Sequence, residues 1–267
     1  MVILAIANQK GGVAKTTTAE NIGGYFSKKG IPVLGIDLDS QGNFSTSLGL
    51  EMGNGLYRFL VQDEPLESVI VHARNNFDLI TNDHSSLIVE EHINRSNFRE
   101  YILAKKLEKV KKYKLIILDC PPSGSSILQL LSLIAADFAI IPTTLDLLAL
   151  HGVTQIIQTV SSLNTFPNVI PPRLIGILPT FFDRFRTNES IFNMAELQRI
   201  CGIDLILPPI TKSTILREAS AHGQTIWEYA PKSSAAVGYK DGTRIKNSAN
   251  CFGGYLHLCE LLSPLVK

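Results

Sequence analysis

Six apolar runs of strand length, separated by segments of helix length, restrict this chain to few architectures. They fall at residues 2–7, 33–36, 77–80, 115–118, 138–141 and 174–178. The runs are nearly continuous rather than alternating, the pattern of strands covered on both faces. Between them lie helical patterns such as 16–29 and 153–163, the latter with Val153, Ile156, Ile157 and Val160 on one face. Strand–helix alternation of this kind predicts an α/β fold: a mostly parallel twisted sheet with helices on both faces. Its ligands would bind at the carboxyl ends of the strands.

The remaining features narrow the class. The 267 residues are 45% apolar and 18% charged, with no Pro/Gly/Ser-rich linker and no internal repeat, so residues 1–267 are expected to form one domain. A formal net charge of +1 excludes a whole-molecule polycation, and any nucleic-acid contact must come from a local cluster. Cys120, Cys201, Cys251 and Cys259 lack metal-type spacing and disulfide-framework density, so they are expected to be reduced thiols. The opening, MVILAIANQKGG, does not have the pattern of a secretory signal. No apolar stretch approaches the ~20 residues that span a bilayer, and a soluble, cytoplasmic protein without membrane contact is expected. Residues 231–250, with Lys232, Lys240, Arg244 and Lys246 among Ser, Gly and Asn, read as a loop before a last helix near 253–262.

The first apolar run leads directly into Lys10-Gly11-Gly12-Val13-Ala14-Lys15-Thr16-Thr17, which opens a helix. Glycines at positions 11 and 12 let successive N–H groups curl around one anion, and the helix N-terminus adds its positive dipole end. In such a loop Lys15 reaches the β- and γ-phosphates of a nucleotide and the Thr16 hydroxyl ligates Mg²⁺. The run 115–118 ends in Asp119, placed to hold Mg²⁺ directly or through a water. Where the common G-x-x-x-x-G-K-[ST] pattern has glycine before the lysine, this chain has Ala14. A backbone torsion that an L-residue tolerates is expected there, the methyl stiffening the loop at little cost.

K-G-G-x-x-K-T-T, with its additional Lys10, resembles the deviant Walker A signature shared by ParA, MinD and nitrogenase iron proteins. Asp37-Leu38-Asp39-Ser40-Gln41-Gly42 is similar to the D-x-D-P-Q-G of ParA-type partition ATPases. The likeness continues through Ala135-Ala136-Asp137, Ala149-Leu150-His151-Gly152, Glu218-Ala219 and Tyr229-Ala230-Pro231-Lys232-Ser233. Cys120 reads as a small buried residue rather than a cluster ligand, and the tail 253–262 carries no basic residue for a membrane. The ParA-type, Soj-like branch is therefore the one resembled.

That resemblance implies a P-loop ATPase, with ATP and Mg²⁺ as cofactors, that switches between a monomer and an ATP-sandwich homodimer. It implies weak basal hydrolysis, non-specific DNA binding, nucleoid association and a ParB-type centromere-binding partner. Lys10 would reach the partner protomer's phosphates, Asp39 would orient the attacking water, and Asp37 would support the metal region. DNA contacts would come from Arg186, from Lys212 or Arg217, and from an insertion around 232–250 bearing Lys240, Arg244 and Lys246. A MinD-like positioning ATPase, or a nucleotide-binding regulatory or assembly protein with little hydrolysis, is the alternative.

Overall fold

In a computed structural model that describes residues 1–183, 188–241 and 246–266, every predicted apolar run becomes a strand. β1 (Val2–Ile6), β2 (Val33–Asp37), β4 (Phe77–Ile80), β5 (Leu115–Asp119), β6 (Phe138–Thr143) and β7 (Arg173–Pro179) pair in parallel. One further strand has no counterpart among those runs. β3 (Ile70–Arg74) pairs antiparallel with β4 at the sheet edge, giving the order β3-β4-β2-β5-β1-β6-β7. Its sequence, IVHAR, has exposed Val71 and His72. An edge strand with one open side carries no continuous apolar signal.

Helices cover both faces. All five residues of β2 and of β5 are buried, and along β1 the side chains alternate between two cores. Ile3 and Ala5 pack on one face with Leu34, Leu118, Leu131 and Ile156. Leu4 and Ile6 pack on the other with Ile22, Phe26, Phe77 and Leu258. The helix α1 (Lys15–Lys28) supplies Ala19, Ile22 and Phe26 to this second core. The predicted 153–163 pattern belongs to a longer helix, Leu147–Ser162, and the final helix runs Gly254–Leu262 with Tyr255, Leu258, Cys259 and Leu262 buried. Within the expected loop 231–250 the chain makes one helical turn, Ser234–Val237, and Tyr239 bridges to Phe252. Among the described residues no helix is long and apolar enough to cross a membrane.

The topology fixes where a ligand can sit. β1 lies between β5 and β6, and the chain leaves it toward β2 on one side while β6 and β7 extend the sheet on the other. Such a reversal opens a crevice at the carboxyl ends of the central strands. The loop after β1 falls in it.

Close packing of α1 on the sheet needs a glycine. A Cβ on Gly23 would lie 2.3 Å from the ring of fully buried Phe77. Gly23→Ala is therefore expected to destabilise the protein by about 1–3 kcal/mol in urea unfolding, through overpacking. Helix propensity alone predicts a gain of about 1 kcal/mol, and measuring that gain would disprove the close approach.

Candidate functional site

The loop between β1 and α1 is stapled from both sides. Asn8 is fully buried; its Nδ2 donates to the Pro142 carbonyl at 2.8 Å and its Oδ1 accepts the Lys10 N–H at 2.9 Å. Thr180, just past β7, donates to the Val13 carbonyl at 3.3 Å. Gly12 has φ +72° and Ala14 has φ +65°, ψ +36°. Ala14 is the N-cap of α1 and supplies no side-chain cap, so the positive end of this helix is left for an anion. The left-handed torsion corrects the expectation for Ala14. An L-residue there is strained by roughly 1–2 kcal/mol. The fixed geometry of the loop overrides the preference of the residue in it.

Two carboxylates lie side by side beneath the loop. Asp37 and Asp119 end neighbouring strands, are direct ladder partners, and are fully buried. Asp37 accepts the N–H groups of Asp39 at 3.1 Å and Phe44 at 3.1 Å, thereby shaping the turn that presents Asp39. Asp119 Oδ2 accepts the Thr16 hydroxyl at 2.6 Å, while Oδ1 is buried with no hydrogen-bond partner. Burial, followed by the adjacent Asp119, raises the Asp37 pKa. Burial also raises that of Asp119, against the Thr16 hydrogen bond and the Lys15 charge. The Lys15 ammonium is pushed the other way: burial lowers its pKa, opposed chiefly by Asp119. Its Nζ donates to the Lys10 carbonyl at 3.1 Å. A buried carboxylate pair and a desolvated ammonium together favour a bound cation and a bound anion in one place.

Lys10 is engaged within its own chain. Its ammonium contacts Asp146 of its own chain at 2.7 and 2.8 Å. Asp146 also accepts the Thr144 hydroxyl and caps the helix Leu147–Ser162 through the Ala149 N–H at 3.0 Å.

A cleft of about 730 Å³ runs from this loop. Gly11, Gly12, Ala14, Lys15, Thr16, Thr17 and Asp39 line it together, with Gln41, Asn43, Ser47, Phe181 and Ser220 beyond them. Val13 is fully buried behind the loop. A second cavity of about 280 Å³ adjoins Ala14 and Thr17 and is walled by Thr180, Phe181, Thr211, Ser213, Leu216, Arg217 and Tyr255. Arg217, one of the expected DNA contacts, thus borders this cavity from the exposed side of the helix Thr214–Ala221. Lys212, Lys240 and Lys246 are exposed. The first two lie in one neighbourhood, because the Phe182 carbonyl accepts the Lys212 N–H at 3.0 Å and the Phe182 ring stacks 6.5 Å from Tyr239. Arg186 and Arg244 lie outside the described residues.

The chain is similar to known proteins over most of its length. A family model described as an AAA domain matches residues 1–169. Over 239 residues the chain is 37% identical to the chromosome-partitioning ATPase Soj of Thermus thermophilus, spanning 89% of this chain and 92% of the relative. It is 32% identical over 246 residues to the chromosome partitioning protein ParA of Caulobacter vibrioides, spanning 89% and 90%. The chain belongs to the ParA-type, Soj-like P-loop ATPases. A solved Mycobacterium smegmatis structure, described as cobyrinic acid a,c-diamide synthase with bound ATP analog and magnesium, superposes with a TM-score of 0.74 at 32% identity. It covers 84% of this chain and 91% of the other.

The ParA-type site fits Mg²⁺ on its own evidence. The orphaned Asp119 Oδ1 and the Thr16–Asp119 pair supply hard oxygen donors at the lysine loop. Among the described residues no group of three or more His, Cys, Asp or Glu could hold a metal. A Mg²⁺ here would therefore complete its shell from phosphate and water, its usual preference. Sequence reasoning missed Asn8, Thr144, Asp146 and Thr180, whose roles arise only when β6 and β7 are laid beside β1. It also missed Glu20, one turn along α1, which is 1% exposed and lines the cleft.

Ala14→Gly is expected to raise the unfolding free energy by a few tenths to about 1 kcal/mol in the nucleotide-free protein. Relief of the left-handed strain exceeds the entropy glycine adds to the unfolded chain. An equal loss of stability in chemical denaturation would show that the torsion is relaxed in solution. Glu20 provides a pH test. Its Oε1 accepts from Ser220 at 3.1 Å and Oε2 is unpartnered. Burial, first among the causes, raises its pKa to about 8. Raised above the unfolded value near 4.5, the carboxyl costs nothing at low pH and destabilises increasingly as pH climbs toward 8. Glu20→Gln should match the parent near pH 4 and melt at progressively higher temperature than it up to about pH 8, the difference levelling off above that. A difference independent of pH would mean Glu20 does not titrate in this window.

Proposed function

We propose that this protein is an ATP-driven switch for partitioning DNA. The monomer binds Mg-ATP, closes into a sandwich homodimer, coats DNA without sequence preference, and lets go after hydrolysis stimulated by a centromere-binding partner. One observation carries the reading: Lys15, Thr16 and Asp39 line one crevice at the carboxyl ends of β1 and β2, and buried Asp119, at the end of β5, is joined to it by the Thr16 hydroxyl. Phosphates would lie against the amides of Gly11 to Thr17, with the Lys15 ammonium, already desolvated, offsetting their charge. When bound, Mg²⁺ would neutralise charge between the phosphates, held by Thr16 and Asp119. Asp39, set on a turn that Asp37 clamps, would orient the attacking water. The second cavity, walled by Thr180, Thr211 and Ser213, is proposed for the base and ribose.

Lys10 gives the switch its dimer dependence in this reading. Held by Asp146 in the monomer, it would exchange that carboxylate for the partner protomer's phosphates on closure. The exchange replaces one ion pair by another, so closing follows nucleotide occupancy. Arg186, Lys212, Arg217 and the 232–246 segment are proposed as the DNA-contacting cations, with the protein resident in the cytoplasm on the nucleoid. The strain at Ala14 favours a second reading, a nucleotide-binding regulator with little turnover. ATP turnover with and without DNA and a candidate partner protein separates the two.

Two substitutions test the site by titration calorimetry and phosphate release. Lys15→Ala is expected to abolish Mg-ATP binding, while Asp39→Ala should bind ATP with near-parental affinity and lose hydrolysis. Parental turnover in Asp39→Ala removes its water-orienting role, and near-normal affinity in Lys15→Ala removes the phosphate-loop assignment.

A further inference from the structure

The two cavities of the site meet at four residues. Ala14, Thr17, Phe181 and Ser220 line both the cleft at the phosphate loop and the second cavity beside it. In a nucleoside triphosphate the ribose joins the phosphates to the base, so a nucleotide laid across the two cavities puts its ribose at this junction. Ser220 brings a hydroxyl there, and that hydroxyl is held from beneath. It donates to Glu20 Oε1 at 3.1 Å, which also accepts from Asn21 Nδ2 at 3.2 Å. The other carboxyl oxygen, Oε2, is buried without a hydrogen-bond partner, although Glu20 borders the cleft. Ser47 stands beside the carboxyl, but its hydroxyl donates to the Phe44 carbonyl at 3.1 Å. The frame around the pair is rigid. Asn21 Oδ1 accepts the Ile226 N–H at 2.7 Å, which ties α1 to the chain beyond the helix Thr214–Ala221. Arg74 donates to the carbonyls of Leu48, at 3.0 Å, and of Gly223, joining the end of the helix Asn43–Ser47 to that of the helix Thr214–Ala221. The two ends touch backbone to backbone: a Cβ on Gly223 would lie 2.6 Å from the Gly49 Cα.

We infer that Ser220 and Glu20 bind the ribose hydroxyls of the nucleotide and make the site selective for ribonucleotides over deoxyribonucleotides. The inference rests on the reading of the crevice as an ATP site and deepens it. A buried carboxyl oxygen without a partner calls for a donor. Among the parts of ATP, the phosphates carry acceptors and negative charge, and the adenine amino group lies beyond the junction, inside the second cavity. The ribose diol carries two hydroxyls. Ser220 Oγ, its proton already given to Glu20, is left as the acceptor for one of them. Oε2 takes the other after a small turn about the terminal torsion, which is soft in glutamate. Both acceptors stand on helices fixed before the ligand arrives, so little ordering opposes binding. A metal ion is the other partner a buried carboxylate could take. Among the described residues, however, no group of three or more His, Cys, Asp or Glu could hold one. A site that hydrogen-bonds a hydroxyl rejects the analogue lacking it, because the site's own buried groups are then left unpaired.

Titration calorimetry in the presence of Mg²⁺ compares ATP with 2′,3′-dideoxy-ATP on the parent, Glu20→Ala and Ser220→Ala, with melting temperature as the check on folding. The parent should bind ATP at least about tenfold more tightly than the dideoxynucleotide, the scale of one or two hydrogen bonds to buried acceptors. In each variant that ratio should shrink to about threefold or less, through weaker ATP binding with the dideoxynucleotide affinity unchanged. A purely structural role for the Glu20–Ser220 bond would weaken both nucleotides alike and keep the ratio, and that result overturns the proposal. Equal affinities in the parent overturn it too and leave the phosphate loop standing, whereas a parent that binds neither nucleotide removes the ATP site itself. Ser220 is half-buried on a surface helix, so Ser220→Ala decides the matter if Glu20→Ala does not fold.

Discussion

Two carboxylates buried on adjacent strands organise this molecule. Asp37 and Asp119 face the same small volume at the ends of β2 and β5, where mutual repulsion and desolvation both disfavour charge. The surrounding structure resolves this in stages. Asp37 gives its oxygens to two loop amides, which fixes the turn carrying Asp39. Asp119 takes one hydroxyl from α1 and is left with one oxygen unanswered, next to an ammonium that burial also destabilises. Nucleotide and metal together would relieve what the protein leaves unbalanced.

The same logic explains why the loop above the pair tolerates Ala14 in a left-handed torsion. Asn8, Thr180 and the start of α1 hold the loop at separate points, so the backbone cannot relax around one methyl group. Strain of this size persists only where its surroundings over-determine the conformation. Lys10 is the counterexample: its long side chain is free to choose partners, and in the isolated chain it chooses Asp146. The loop is fixed in its backbone, while one of its side chains is held by a single ion pair.

A parallel sheet gives the protein two unlike ends. Carboxyl ends gather acids and the phosphate loop, while amino ends gather lysines supported by buried Leu107, Val110 and Tyr113.

The sequence by itself determined the six parallel strands, since burial on both faces leaves an apolar run that can be read locally. It also determined the phosphate loop and the acids at the ends of two strands, because glycine, lysine, threonine and aspartate at those spacings carry their own chemistry. It could not reveal β3, whose exposed edge has no such run, or the torsion of Ala14, which depends on restraints from β6 and β7. Asn8, Asp146 and Thr180 were illegible for the same reason: their partners are between 134 and 167 residues away. Only the tertiary structure decided that Asp37 shapes a turn and that Lys10 is held by its own chain. Hydrogen bonds and charges act over a few ångströms of space, and only the folded sheet brings residues so distant in sequence that close.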